Sequence, residues 1–70
     1  MDEELYWDGS YAIARRLRRE HPDADLAAVT LNMIYNWVIA LPEFKDDPRL
    51  VNDEILSAIF QDWFEETHPL

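Results

Sequence analysis

Apolar side chains recur at helical spacing in three segments of this 70-residue chain, separated by intervals rich in proline and aspartate. In the first segment, over residues 10–21, Ile13 and Leu17 share a face opposite a row of arginines. The arginines on that opposite face are Arg15, Arg18 and Arg19. Ser10 is the predicted N-cap, and Pro22 follows the segment. The pattern predicts a first helix with solvated arginines.

The second segment follows a short acidic turn. Asp23 and Asp25 can cap a turn over residues 26–29, and Asn32 is the predicted N-cap of a helix over residues 33–41. The apolar positions of that helix follow i, i+3, i+4 spacing at Met33, Ile34, Trp37, Val38 and Leu41. We therefore expect this helix to lie at the buried centre.

A loop over residues 42–48 separates the second helix from the third. Phe44 is its predicted anchor in the core, and Asp46 and Asp47 are expected at its exposed tip. Asn52 is then the predicted N-cap of the last helix. A wide apolar stripe marks that helix, at Ile55, Leu56, Ile59, Phe60 and Trp63. We expect the helix to end near residues 67–68.

Three short helices without a predicted strand indicate a mainly α protein. A chain of 70 residues has room for one hydrophobic core at most, so residues 1–70 are expected to form a single domain. The close spacing of the second and third helices resembles a winged-helix arrangement of the helix-turn-helix type. We expect a small three-helix, winged-helix-like fold and a monomer.

Net charge is the most informative bulk property, since 6 Lys+Arg oppose 15 Asp+Glu for a net of -9. Residues 1–19 carry four acids and four arginines, which cancel. The excess lies in residues 20–70, where eleven acids face only Lys45 and Arg49. Such a field repels nucleic acid and anionic membrane and favours basic proteins or cations. The same charge would also serve solubility alone.

The composition argues against most catalytic chemistry. There is no cysteine, which excludes disulfides, thiolate metal sites and persulfide chemistry, and a single glycine, which excludes a phosphate-binding loop. His21 and His68 stand without a Ser or Cys nucleophile at a recognisable spacing. We therefore expect a non-enzymatic protein with no tightly bound cofactor. An acidic start, where a signal peptide needs positive charge, favours a cytoplasmic location.

Carboxylate pairs offer hard oxygen ligands for a divalent cation. Asp23 with Asp25, and Asp46 with Asp47, could bind Fe(II) weakly and reversibly. Neither pair matches a calcium loop or a dedicated iron site, so we expect labile binding only.

The order of several short motifs resembles the IscX (YfhJ) family, from about residue 5 to residue 66. The motifs are His-Pro-Asp-Ala-Asp at 21–25, Asn-Trp-Val at 36–38, Phe-Lys-Asp-Asp-Pro at 44–48, Asn-Asp-Glu-Ile-Leu at 52–56 and Trp-Phe-Glu-Glu at 63–66. Each motif is weak alone, but together, in order and without gaps, they are specific. This chain departs from the family in the first helix. Family members usually have acidic residues there, whereas this chain has Arg15, Arg16, Arg18 and Arg19.

The resemblance implies an accessory factor of bacterial iron-sulfur cluster assembly. Such a protein would bind the cysteine desulfurase through an acidic surface, compete there with frataxin and modulate the enzyme. The alternative implied role is a weak Fe(II) carrier that donates iron to the assembly machinery. The acids that match family acids, and that we predict to form the partner-binding surface, are Asp23, Asp25, Glu43, Asp46, Asp47, Asp53, Glu65 and Glu66.

Overall fold

The computed structural model describes residues 3–68 and contains three α-helices. Helix α1 spans Ser10–Glu20, α2 spans Leu31–Ile39 and α3 spans Asp53–Thr67, with a 3-10 turn at Pro48–Leu50 before α3. This confirms the mainly α, three-helix expectation. The β structure of the described residues is one isolated parallel bridge between Leu5 and Phe44. No helix within residues 3–68 is long and apolar enough to cross a membrane.

The predicted cap of α1 is wrong. Gly9 occupies the N-cap position, and Ser10 is the first helical residue. The Ser10 hydroxyl instead donates to Asp62 Oδ2 on α3, at 2.7 Å. A polar contact with the neighbouring helix therefore takes the place of a local cap. Helix α1 ends as expected before Pro22, where the His21 N–H donates to the Leu17 carbonyl at 2.8 Å.

The predicted start of α2 is also wrong, by two residues. Thr30, in extended conformation, is the N-cap, and its side chain accepts from the Met33 N–H at 3.1 Å. Asn32 lies exposed in the first turn. The helix ends at Ile39, earlier than predicted, because the Leu41 N–H turns back to the Val38 carbonyl at 3.0 Å.

Helix α3 begins and ends where the sequence predicted. The Asn52 side chain accepts from the Ile55 N–H at 2.9 Å, which confirms the predicted N-cap. Asp53 and Glu54 occupy the first turn, where carboxylates favour the positive end of the helix dipole. The last helical residue is Thr67.

The three helices enclose a single core. Helix α1 contributes Ile13, Ala14 and Leu17, and α3 contributes Leu56, Ile59 and Trp63, all buried as the stripes predicted. Helix α2 is buried less completely than expected. Ile34 and Val38 are buried, whereas Met33 and Trp37 are only half-buried.

The N-terminal segment completes the core, although it carries no helical pattern. Leu5 and Trp7 are each 3% exposed. The Leu5 N–H donates to the Glu43 carbonyl at 2.9 Å, and the Lys45 N–H donates back to the Leu5 carbonyl at 3.0 Å. This bridge brings the loop after α2 beside the chain start, so Phe44 packs edge-on against Trp7, at 4.7 Å between ring centroids. Phe44 therefore anchors the loop to the core, which confirms the prediction.

Candidate functional site

A shallow groove of about 400 Å³ opens where the end of α1, the following turns and α2 meet. We call it the acid-rimmed groove. Its larger apolar lining residues are Val29, Met33 and Trp37. Its acidic residues are Glu20, Asp23 and Asp25, and the remaining lining residues are His21, Pro22, Ala24 and Ala28. The groove therefore combines an apolar patch with negative charge.

The groove forms because α1 stops abruptly and the chain then turns twice. The Ala24 N–H donates to the His21 carbonyl at 3.1 Å, which closes the first turn after Pro22. In the second turn, Asp25 Oδ1 accepts from the Ala27 N–H at 3.0 Å. This local bond confirms the predicted capping role of Asp25. It also holds that carboxylate beside the groove.

Trp37 connects the groove to the hydrophobic core. Its ring stacks on His21, with 4.1 Å between ring centroids and 21° between ring planes. It also packs edge-on against Trp63, with 6.0 Å between ring centroids. His21 and Trp37 were not predicted as site residues. The spacing of the α2 stripe gave no signal for Trp37, because the α3 stripe has the same spacing and its matching residue, Ile59, is fully buried.

Asp46 and Asp47 do not lie at an exposed tip, so that prediction is wrong. Asp46 Oδ2 accepts from the Trp7 N–H at 3.0 Å, and Asp46 Oδ1 accepts from the Asp47 N–H at 2.8 Å. The Trp7 indole donates to the Asp47 carbonyl at 2.8 Å. Both aspartates are half-buried because they tie the loop to the N-terminal segment.

The side chain of Asp47 is bound to Arg49. Its Oδ1 accepts from the Arg49 N–H at 2.9 Å, and Arg49 Nη2 lies 3.1 Å from Oδ2. The Arg49 side-chain hydrogen bonds, followed by the backbone one, hold the pKa of Asp47 below its usual range. This carboxylate is therefore a cap of the 3-10 turn.

Glu43 and Glu66 are paired with the arginines of α1. Glu43 forms an ion pair with Arg16, whose side chain is only 10% exposed. Glu66 Oε1 lies 4.0 Å from Arg15 Nε and 3.8 Å from Arg18 Nη1. The negative charge of both glutamates is therefore partly neutralised by arginines of the same chain.

The structure thus brings only part of the predicted acidic surface together. Asp23 and Asp25 lie at the acid-rimmed groove, whereas Asp53 and Glu65 are exposed on α3, outside its lining. Within residues 3–68, no three His, Asp or Glu side chains converge as a metal site would require. The predicted metal pairs can each offer at most two carboxylates, with water completing the coordination.

Comparison with known proteins places the chain in a family. The family model described as iron-sulphur cluster assembly matches residues 5–68. An uncharacterized protein of Pseudomonas aeruginosa is 37% identical over 62 residues, which cover 89% of this chain and 94% of that protein. The chain therefore belongs to the iron-sulphur cluster assembly family, as its resemblance to IscX predicted.

Proposed function

We propose that this chain is a non-enzymatic adaptor that binds the cysteine desulfurase of iron-sulfur cluster assembly and modulates its activity. Membership of the assembly family gives the cellular process. The partner follows from the resemblance to IscX, and the contact is the acid-rimmed groove. The groove is the single observation that supports the proposal most strongly.

The groove suits a basic protein surface with an apolar contact at its centre. Asp23 and Asp25 are exposed and stand beside the half-buried Trp37 and Met33. A partly desolvated aromatic residue surrounded by charge is typical of protein interfaces, where the aromatic residue supplies affinity and the charges supply orientation and association rate.

The test is a binding measurement between the purified chain and a cysteine desulfurase from the same organism, by biolayer interferometry. We expect Asp23→Asn with Asp25→Asn to weaken binding by about tenfold, mainly through slower association. Asparagine keeps the Oδ1 acceptor for the Ala27 N–H, so the turn should persist. A separate Trp37→Ala variant should speed dissociation, because it removes the aromatic contact.

The matched control is Asp8→Asn with Glu54→Gln, which changes the net charge by the same two units at exposed positions outside the groove. This variant should bind within about twofold of wild type, because long-range charge alone has a small effect at physiological salt. Equal weakening by both double variants would show that binding depends on the net charge of the chain and not on the groove, which would contradict the proposal. Unchanged binding in the Asp23 and Asp25 variant would place the contact elsewhere.

Iron delivery is the alternative. The carboxylate pair of Asp23 and Asp25 could hold Fe(II) weakly, and the same exposed position would allow transfer to another protein. No observation favours this role over the adaptor role, and it stays a prediction.

A further inference from the structure

A second groove, of about 690 Å³, is lined mainly by residues of α1. All four arginines of α1 contribute to its lining, together with Tyr11 and Ala12 of the same helix. The acids of the lining are Glu3 and Glu66. Four arginines against two glutamates give the lining a formal charge of +2 on a chain of net charge -9, but Arg16 is paired with Glu20 and Glu43 outside the lining. The accessible positive charge is therefore that of the exposed arginines, above all Arg15 and Arg18. We call this second groove the arginine groove.

Two of these arginines are exposed and loosely held. The side chains of Arg15 and Arg18 are 65% and 54% exposed, and both face the same oxygen of Glu66 at 4.0 and 3.8 Å. Neither distance is a hydrogen bond, and neither side chain makes one elsewhere within residues 3–68. Each guanidinium carries five N–H donors in a planar fork, so most of the donor capacity of both faces the groove or solvent.

Tyr11 adds an aromatic side to the groove. Its ring is 53% exposed, and Arg15 Cζ lies 5.9 Å from the ring centroid. The Tyr11 hydroxyl donates to Glu66 Oε2 at 3.3 Å. Arg15 is therefore supported by an aromatic face on one side and by a carboxylate on the other, which reduces the entropy lost when it binds an anion.

We propose that the arginine groove binds a short acidic peptide segment of a partner protein. Guanidinium forks match carboxylates in a bidentate geometry, and the aromatic ring of Tyr11 would cover the peptide backbone between two acidic side chains. This surface is distinct from the acid-rimmed groove, since the two have no lining residue in common. The chain could then bind a basic partner surface at the acid-rimmed groove and an acidic peptide at the arginine groove at the same time.

A peptide fits better than a nucleic acid. A polyanion extends beyond one groove, and outside the arginine groove the rest of the chain carries a formal charge of -11. A long phosphate backbone would meet that repulsion along most of its length. A short acidic segment confines its charge to the cationic groove.

The test is fluorescence anisotropy with a fluorescein-labelled peptide that carries a central run of glutamates between glycine and serine residues. The ligand control replaces each glutamate by glutamine. We expect Arg15→Gln with Arg18→Gln to weaken binding of the acidic peptide by about tenfold or more, because charge-assisted hydrogen bonds are lost. Circular dichroism checks that both helical content and melting are retained.

The protein control is Lys45→Gln with Arg49→Gln, which lowers the net charge by the same two units but lies outside the arginine groove. This variant should bind the peptide within about twofold of wild type at physiological salt. Equal losses in both variants, or equal binding of the glutamine peptide, would overturn the proposal. Tighter binding of a labelled oligothymidine than of the acidic peptide would also overturn it, in favour of a nucleic-acid ligand.

Discussion

At the scale of single residues, the carboxylates of this chain divide into those that hold the fold and those that face solvent. Asp46 belongs to the first group, because both of its oxygens accept backbone N–H groups. Asp23 belongs to the second, exposed at the acid-rimmed groove. Motif matching placed both in one predicted surface, although their contacts differ.

We expect Asp46→Ala to lower the free energy of unfolding by about 2 to 3 kcal/mol, because the N–H groups of Trp7 and Asp47 lose their acceptor. Urea unfolding monitored by tryptophan fluorescence measures the change. Asp46→Asn should be intermediate, since one oxygen acceptor remains. Asp8→Ala, at an exposed position, is the control and should change stability little. An Asp46→Ala variant as stable as the control would show that water replaces the carboxylate at no cost.

The pKa of Asp47 provides a second residue-scale prediction. This pKa lies below its ordinary value of 3.8, so Asp47 contributes stability above that pH and loses the contribution as pH falls through its folded-state pKa. Arg49→Gln removes the main cause, and we expect the pKa of Asp47 to rise towards 3.8. Carboxyl chemical shifts in an NMR pH titration measure it. An unchanged pKa in the variant would assign the shift to the backbone N–H bond instead.

At the scale of the elements, α3 organises the fold because both other helices pack against it. Ser10 of α1 bonds to Asp62 of α3, and Trp37 of α2 packs edge-on against Trp63. Trp63 is 2% exposed and among the largest fully buried side chains. The predicted burial of the α3 stripe is confirmed for its central positions.

Replacing Trp63 by alanine should cost about 3 to 5 kcal/mol, from the lost apolar burial and the cavity left behind. That is a large share of the stability of a 70-residue domain. Thermal melting by circular dichroism is the measurement, and Phe64→Ala on the same helix, at a 43% exposed position, is the control. A melt for Trp63→Ala that matches the control would mean that the core closes around the missing ring.

At the scale of the whole molecule, the charge is polarised. The lining of the arginine groove carries a formal +2 and the rest of the chain -11, and two acids of that remainder, Glu20 and Glu43, pair with Arg16 of the lining. Two partners of opposite charge could therefore bind at separate grooves of the same small chain.

Binding to the desulfurase should weaken steeply as salt rises. The Debye length falls from about 8 Å at physiological ionic strength to roughly 3 Å at 1 M, which screens exposed charge pairs. Association rates at a series of sodium chloride concentrations provide the measurement. Binding that is indifferent to salt would assign the affinity to the apolar contact at Trp37 rather than to charge.

Iron binding is expected to be weak and labile, because two carboxylates per pair leave most coordination positions to water. Anaerobic titration of Fe(II) by calorimetry should show reversible binding that Mn(II) displaces. Asp23→Asn with Asp25→Asn should weaken it without loss of fold. Stoichiometric iron that resists a chelator would contradict this prediction and favour the carrier role.

The sequence by itself determined the number of helices, the central buried positions of their apolar stripes and the family. These depend on residues a few positions apart: the 3.6-residue period of α3 and the Asn52 cap are local. The motif His-Pro-Asp-Ala-Asp likewise marked Asp23 and Asp25, two of the acids that line the groove.

Only the tertiary structure decided what the other polar side chains do. The Asp46 carboxylate meets the Trp7 N–H across 39 positions of sequence, and the Ser10 hydroxyl meets Asp62 across 52. Helical period and capping rules carry no information about such distant pairs. The grooves likewise arise from helices that converge in space, so the His21–Trp37 stack and the shared contact of Arg15 and Arg18 with Glu66 became visible only in the folded chain.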